Sequence, residues 1–478
     1  MLHDPYLLTV AAYLMVLIGV SVWLSFRVRT QEDFMVAGRR LTWPVLVGTL
    51  LATWIGSGSI FGGGNLGFRQ GFAALWQPAG AWLGILIIVF IAGRARRFGQ
   101  FTVPDMMEAR YNVVARVLAT IATVASYTII VSYQFRGGGR VLHLVAPQIS
   151  YEHGVLITAI LATGFTVLAG LLSVAYTDIA NGVVIVMGTA LAVPSLVHSA
   201  GGWRTVRANL DASHFSLLGT MSLQEALGFF LPTLFLLLGN ANMYQRFFAA
   251  RDEREARRSV FGWIIGVILV ETLVICLAVV GSSMPAFRDL PNPETIIPAV
   301  ARHGLPTAIG CLLLAAIAAI IVSTADSFLL VPATNLVRDI YQRFLNPGAS
   351  GRLIVLLSRC AVLVLGFVAY LMMSHFQSIL DAVVAAYTIY GAAITPALLA
   401  AFFWSRATPA GGASSIMVGL LTGVGWEAWR AWYGAGEHFP LGVETIYAAL
   451  LASIAALLLV SAFTSPRPTG PVAQAARD

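Results

Sequence analysis

From Tyr6 to Phe463 the chain repeats one pattern: a run of about 20 apolar residues, a short loop, and another apolar run. In hydrocarbon every backbone N–H and C=O must be satisfied within the protein, so runs of this length fold as membrane helices. Of the 478 residues, 58% are hydrophobic and 11% charged, and no long polar stretch houses a soluble domain. The chain reads as an all-α polytopic membrane protein with about 13 transmembrane helices. Pro44–Phe68 is expected as the second span, Phe72–Gly93 as the third and Gln224–Phe247 as the seventh. Val260–Gly281, Leu305–Val331, Ile354–Met373 and Leu380–Phe403 follow as the eighth to eleventh.

Every basic side chain is arginine, and the formal charge is +7. The arginines sit mostly in short loops between apolar runs, where they report topology and contact with lipid headgroups rather than nucleic acid. Arg39, Arg40, Arg94, Arg96, Arg97, Arg254, Arg257, Arg258, Arg338 and Arg343 fall in alternate loops. The positive-inside rule then places the amino terminus outside and, with an odd count of spans, the carboxyl terminus in the cytoplasm of a plasma (inner) membrane. Met1–Pro5 lacks a basic region and precedes an apolar run long enough to cross, so a retained helix is expected rather than a cleaved leader. The three cysteines all fall inside apolar runs, and the eight histidines lie at span ends or in loops. That distribution gives no disulfide framework, no metal motif and no Ser–His or Cys–His pair at membrane depth, so an enzyme is not expected.

Two anomalies interrupt the apolar background. Ser323-Thr324-Ala325-Asp326-Ser327 follows Leu312–Val322, a stretch with no charge, and polar groups at that depth usually mark an ion or solute path. Thr53-Trp54-Ile55-Gly56-Ser57-Gly58-Ser59 weakens the second span in its middle. A helix broken there leaves end carbonyls without intrahelical partners, at the negative end of the half-helix dipole. Ala52 and Ile55 are three apart, so both carbonyls can face one way. Ser323 and Thr324 offer hydroxyls, and Ile320 lends a carbonyl if the ninth span loosens at Thr324 or Asp326. These are about five hard oxygen donors, the set a dehydrated sodium ion requires. The competing reading has the hydroxyls bonding back to their own helix or gluing helices together. A weak internal symmetry accompanies the break: the seventh span is also interrupted, at Gly239-Asn240-Ala241-Asn242.

Several stretches resemble the sodium:solute symporter family. They are Phe34–Leu41, Thr102–Asp105 with Arg110-Tyr111, Gly170–Asp178, Asn240–Arg246 with Ala249–Ala256, and Val322–Ser327 followed by Arg338–Tyr341. The resemblance covers roughly Asp33–Trp404, with the motifs in the family's order. It implies inverted five-helix repeats with discontinuous helices. Residues 1–43 would form an amino-terminal flanking helix and inner loop, 44–199 the first repeat and 200–404 the second. Residues 405–465 would form two flanking helices, and 466–478 a disordered tail. The same resemblance puts a sodium ion on the carbonyls of Ala52, Ile55 and Ile320 and the hydroxyls of Ser323 and Thr324, the set that oxygen counting reaches. Some members hold a second cation. Its residues fall on Asp178, Asp326 and Ser327, with Asp326 standing where those members have serine. The plain alternative for Asp178 is a solvated helix cap near the inner interface.

A small organic solute is expected beside the break, with Trp54, Ser57 and Ser59 as candidates. Solute contacts implied by the resemblance fall on Gln77, Asn240 and Thr388, flanked by Trp76, Tyr244 and Tyr387. Glu271 has no basic residue near it in the eighth span. It reads either as a protonated acid bonded to a neighbouring helix or as a counter-charge for a cationic or zwitterionic amine, with Trp54 adding a cation–π face. The pattern sets no arginine firmly in the core to pair an anion; Arg359 on the tenth span leaves that open. The expected activity is sodium-driven import of a small solute. Proton coupling through Asp178, Asp326 or Glu271, and a transporter-like solute sensor, are the alternatives.

Overall fold

A computed structural model describes residues 4–26, 30–98, 101–168, 170–376, 378–434 and 439–465. The tail expected at 466–478 lies outside the described residues. Among these residues the secondary structure is helical, with no strand. The first part of the chain forms α1 (Pro5–Ser25), α2 (Gln31–Val36), α3 (Trp43–Trp54), α4 (Gly64–Gln70), α5 (Trp76–Phe98) and α6 (Val103–Arg110). Then come α7 (Val113–Val145), α8 (Tyr151–Leu168), α9 (Leu171–Ser199), α10 (Trp203–Ala208), α11 (Leu223–Gly239) and α12 (Ala241–Ala249). The rest is α13 (Glu253–Ser283), α14 (Pro285–Arg288), α15 (Ile296–His303), α16 (Thr307–Asn335), α17 (Gly351–Met372), α18 (Ile379–Phe403), α19 (Pro409–Gly434) and α20 (Thr445–Phe463).

Eleven stretches among the described residues are long and apolar enough to cross a membrane. The difference from about thirteen has two physical causes. The expected second span is not one helix: α3 has 12 residues, about 18 Å long, and ends at the glycine-rich break. α19 is long, but its Gly and Ser residues and the pair Glu427–Arg430 dilute its apolar character, and it is not one of the eleven.

Burial sorts the helices into layers. In α16 and α18, 83% of the most apolar window is buried, against 22% in α1. α16 and α18 are apolar all round because protein surrounds them. α1, α17 and α20 turn residues such as Trp23, Phe367 and Phe463 outward. Without a hydrophobic drive between helices in lipid, close approach depends on small residues. Gly48 of α3 shows this against α9: a Cβ there would lie 2.9 Å from the Ile179 Cα.

Ion pairs tie the bundle near both ends of α7. Arg116 is almost wholly buried and pairs with Asp105 of α6 and with Asp339, each at 2.6 Å, and with Glu108 at 2.5 Å. Arg140, about 36 Å along the same helix, pairs with Glu294. Glu294 also accepts from the Ile379 amide at 2.7 Å, capping α18. The loop before α3 is pinned to the end of α12 by Leu41, whose N–H donates to Ala249 O at 3.1 Å and whose carbonyl accepts from Arg251 N at 2.9 Å.

Candidate ion and solute site

The chain leaves α3 at Ile55, whose backbone is extended (φ −74°, ψ 124°). It resumes as a π-helical turn, Gly58–Gly63, which runs into α4. The carbonyls freed by this exit are aimed at α16. The Thr324 hydroxyl lies 3.2 Å from Ala52 O and 2.8 Å from Ile55 O, donating toward both. Ser57 N donates to Gln134 Oε1 of α7 at 2.9 Å. Helices approach closely here, since a Cβ at Gly56 would meet Gln134 Nε2 at 2.9 Å and Thr324 Cγ2 at 3.0 Å.

Ser323 precedes Thr324 and turns its hydroxyl to Asp178 of α9, donating to Oδ1 through a short bond. Thr49 of α3 donates to the other oxygen, Oδ2, at 2.6 Å. Asp178 is fully buried in the interior of α9, so it is not a solvated cap near an interface. Of the five expected sodium donors, Thr324 meets the carbonyls of Ala52 and Ile55, while the hydroxyl of Ser323 is bonded to Asp178. Ile320 differs from expectation. α16 is unbroken from Thr307 to Asn335, so no loosening at Thr324 or Asp326 frees that carbonyl, and it could join only through its second lone pair. Carbonyl and hydroxyl oxygens with an acid behind them suit a hard monovalent cation. Among the described residues, no group of three His, Cys, Asp or Glu side chains could hold a metal ion.

The three residues expected for a second cation are separated in role. Ser327 and Asp178 surround the guanidinium of Arg246, which is wholly buried. Arg246 Nη2 donates to Ser327 Oγ at 2.8 Å and to Thr53 Oγ1, and lies 3.6 Å from Asp178 Oδ2. Nε donates to Thr49 Oγ1 at 2.9 Å, and Nη1 to Asn242 O at 3.2 Å. Asp326 is also fully buried, yet neither carboxylate oxygen has a hydrogen-bond partner of good geometry. The Thr166 hydroxyl on α8, close to Asp326, donates instead to its own helix at Ala162 O, 2.8 Å away.

A second break lies between α11 and α12. Asn240 is extended there (φ −60°, ψ 111°), close to the conformation of Ile55. Its side-chain oxygen accepts from Asn242 N and from the Tyr127 hydroxyl, each at 3.0 Å. The Tyr390 hydroxyl donates to Gly239 O at 2.9 Å, and Tyr244 to Leu238 O at 3.0 Å.

A small cavity of about 20 Å³ opens beside the first break. Trp54, Ser59, Gln77, Glu271 and Tyr387 line it. Glu271, on α13, accepts from Trp54 Nε1 and Trp82 Nε1, each at 3.0 Å, and from Ser59 Oγ at 3.5 Å. No ion pair to Glu271 occurs among the described residues. The tilted rings of Trp54 and Tyr387 have centroids 6.3 Å apart.

Three expected solute residues do not line this cavity. Ser57 is buried against Gln134, Asn240 caps α12, and Thr388 lies buried in α18 with its hydroxyl unpartnered. Of the flanking aromatics only Tyr387 reaches the cavity; Trp76 donates to Leu217 O at 2.9 Å. Sequence reasoning missed Arg246, Trp82 and Gln134. Arg246 lay inside a quoted motif and one residue short of the end of the expected seventh span, a position that carries no signal of burial in the core. Arg246 is wholly buried, and Arg116 and Arg136 nearly so, while Arg359 is only half-buried on α17.

The sodium:solute symporter family model matches residues 34–419. The osmoregulated proline transporter OpuE of Bacillus subtilis (strain 168) is 26% identical over 468 residues, covering 94% of this chain and 92% of that protein. A sodium/proline symporter of Staphylococcus aureus (strain bovine RF122 / ET3-1) is 26% identical over 448 residues, covering 88% and 85%. A substrate-bound, outward-open Na+-coupled sialic acid symporter has the same fold, with TM-score 0.81 at 18% identity over 97% of this chain and 98% of that one. MHP1, a nucleobase-cation-symport-1 family transporter, aligns with TM-score 0.62 at 12% identity over 93% and 98%. The motifs from Phe34 to Tyr341 lie within the matched residues, and the chain, a multi-pass membrane protein, belongs to the sodium:solute symporter family.

Proposed function

We propose that the protein imports a small amino acid of the proline type, driven by one or more sodium ions entering with it, by alternating access. The observation that carries this reading is the meeting of Thr324 with both freed carbonyls, Ala52 and Ile55, a short distance along the break from the Glu271 cavity. Sodium would be held by the carbonyls of Ala52 and Ile55 and the hydroxyls of Ser323 and Thr324, with Ile320 as a fifth donor. Because Ser323 gives its hydrogen to Asp178, its lone pairs stay available to a cation. Thr324 now donates to the two carbonyls. An ion arriving there would take over both acceptors and turn that hydroxyl into a ligand.

For the solute, Glu271 supplies a carboxylate that only neutral N–H and O–H groups address. It would meet the ammonium of a zwitterion, while the amino end of the second half-helix favours the solute carboxylate. The names of the relatives point to proline, so a simple cationic amine gives way to an amino acid carrying both charges. The cavity is small enough that Trp54, Tyr387 or their neighbours must move to admit one.

Joining the halves of each broken helix, α3 with α4 and α11 with α12, and adding α19 gives thirteen crossings. The matching backbone at Ile55 and Asn240 supports inverted repeats over 44–199 and 200–404. The arginine distribution supports a plasma-membrane protein with its amino terminus outside and its carboxyl terminus in the cytoplasm.

The test is labelled L-proline uptake into proteoliposomes holding the purified protein. Accumulation is expected only with an inward sodium gradient. Equal uptake when N-methylglucamine replaces sodium at fixed pH would overturn the reading. Proton coupling is the second reading, favoured by the partnerless oxygens of Asp326. It predicts uptake that follows an inward proton gradient without sodium.

A further inference from the structure

The carboxylate of Glu271 is held from two sides, and only one of them is the cavity. On the cavity side Oε1 accepts from Trp54 Nε1 at 3.0 Å and from Ser59 Oγ at 3.5 Å. Both donors belong to the first break, and both line the cavity. On the other side Oε2 accepts from Trp82 Nε1 at 3.0 Å. Trp82 stands on α5, the helix that also sends Gln77 to the cavity, but Trp82 itself does not line it. The two residues are five apart, so their side chains leave α5 about 140° from each other. An indole N–H can only donate, so each carboxylate oxygen keeps a lone pair turned toward its tryptophan.

A glutamate has three side-chain torsions and can turn its carboxylate in many ways, whereas a tryptophan has two and is the stiffer partner. Of the three contacts, Ser59 is the longest and sits at the outer limit of a hydrogen bond. It is the contact a solute N–H displaces most readily. That exchange leaves Oε1 facing the cavity while Trp82 keeps Oε2 in place.

We propose that Trp82 is a positioning residue for solute recognition: its N–H anchors one oxygen of Glu271 outside the cavity, so that the other is presented to the ammonium of an amino acid. Trp82 touches no solute and acts through Glu271. This inference deepens the amino-acid reading above and rests on it.

Equilibrium binding of labelled L-proline at saturating sodium tests it, using the purified full-length protein in lipid nanodiscs. Trp82→Phe keeps an aromatic ring and removes the N–H. It should weaken L-proline binding by about tenfold, as loss of a hydrogen bond to a buried charge does. Sodium binding measured without solute should change by less than about twofold. The same change made in the Glu271→Gln background separates positioning from packing. There it should cost less than about twofold, because a glutamine amide has one acceptor oxygen and cannot serve both indoles. A tenfold loss in both backgrounds would make Trp82 a packing residue and overturn the proposal, as would unchanged L-proline affinity in Trp82→Phe alone. If that variant fails to fold, Trp82→Leu is measured in the same two backgrounds with the same expectations. No L-proline binding by the natural protein would overturn the amino-acid reading, and this role with it.

Discussion

At the first helix break, the carbonyls of Ala52 and Ile55 are met by one hydroxyl, Thr324, reaching across from a neighbouring helix. At the second, the freed groups are met by Asn240 itself and by the aromatic hydroxyls of Tyr127, Tyr390 and Tyr244. Backbone geometry is nearly shared, with ψ 124° at Ile55 and 111° at Asn240, so the chain makes nearly the same bend twice. What differs is how replaceable the partners are. A threonine hydroxyl can rotate and change from donor to ligand, while tyrosines buried in a packed core hold one arrangement. The first break is therefore suited to an ion that comes and goes. The second is suited to holding Arg246, six residues past Asn240, at a fixed place.

Three substitutions would break or sharpen this contrast. The largest effect is expected from Thr324→Ala at the first break. It should weaken apparent sodium affinity in uptake by at least about tenfold, because a ligand and its orienting bonds both go. Glu271→Gln comes next. Solute affinity should fall by roughly tenfold, equal to about 1.4 kcal/mol, while sodium binding measured without solute stays unchanged. A matching loss of sodium binding would join the two sites that the geometry keeps apart. Asn240→Ala should be the mildest. Removing an N-cap costs about 1 kcal/mol, visible as a lower unfolding temperature in lipid nanodiscs with sodium affinity retained. A selective loss of sodium affinity there would mean the second break is an ion site as well.

Much of this was legible in the chain because it broke local rules. Glycine and serine within Thr53–Ser59, and hydroxyls with an acid within Ser323–Ser327, contradict the apolar pattern around them, and both lie at the site. Partners fixed by distant folding were not legible. Trp82 looks like any tryptophan in an apolar helix until α5 is set against α13, which brings it to Glu271. Arg246 falls at the end of an expected span, where an arginine normally reaches the headgroups, until α12 turns inward and buries it. Asn240 lay at a recognised break, yet its side chain closes the backbone of its own helix rather than facing the cavity. The loosening of α16 on which the Ile320 carbonyl depended is not seen, since the helix runs unbroken from Thr307 to Asn335.

The central claim is that the first break and the Ser323–Thr324 pair together hold the coupling ion. The most direct measurement is equilibrium binding of radioactive sodium to the purified Ser323→Ala/Thr324→Ala double variant beside the natural protein, both checked for matched folding by circular dichroism and thermal unfolding. Saturable binding in the natural protein and none in the folded double variant is the predicted result. Binding of unchanged affinity in the double variant would contradict the account.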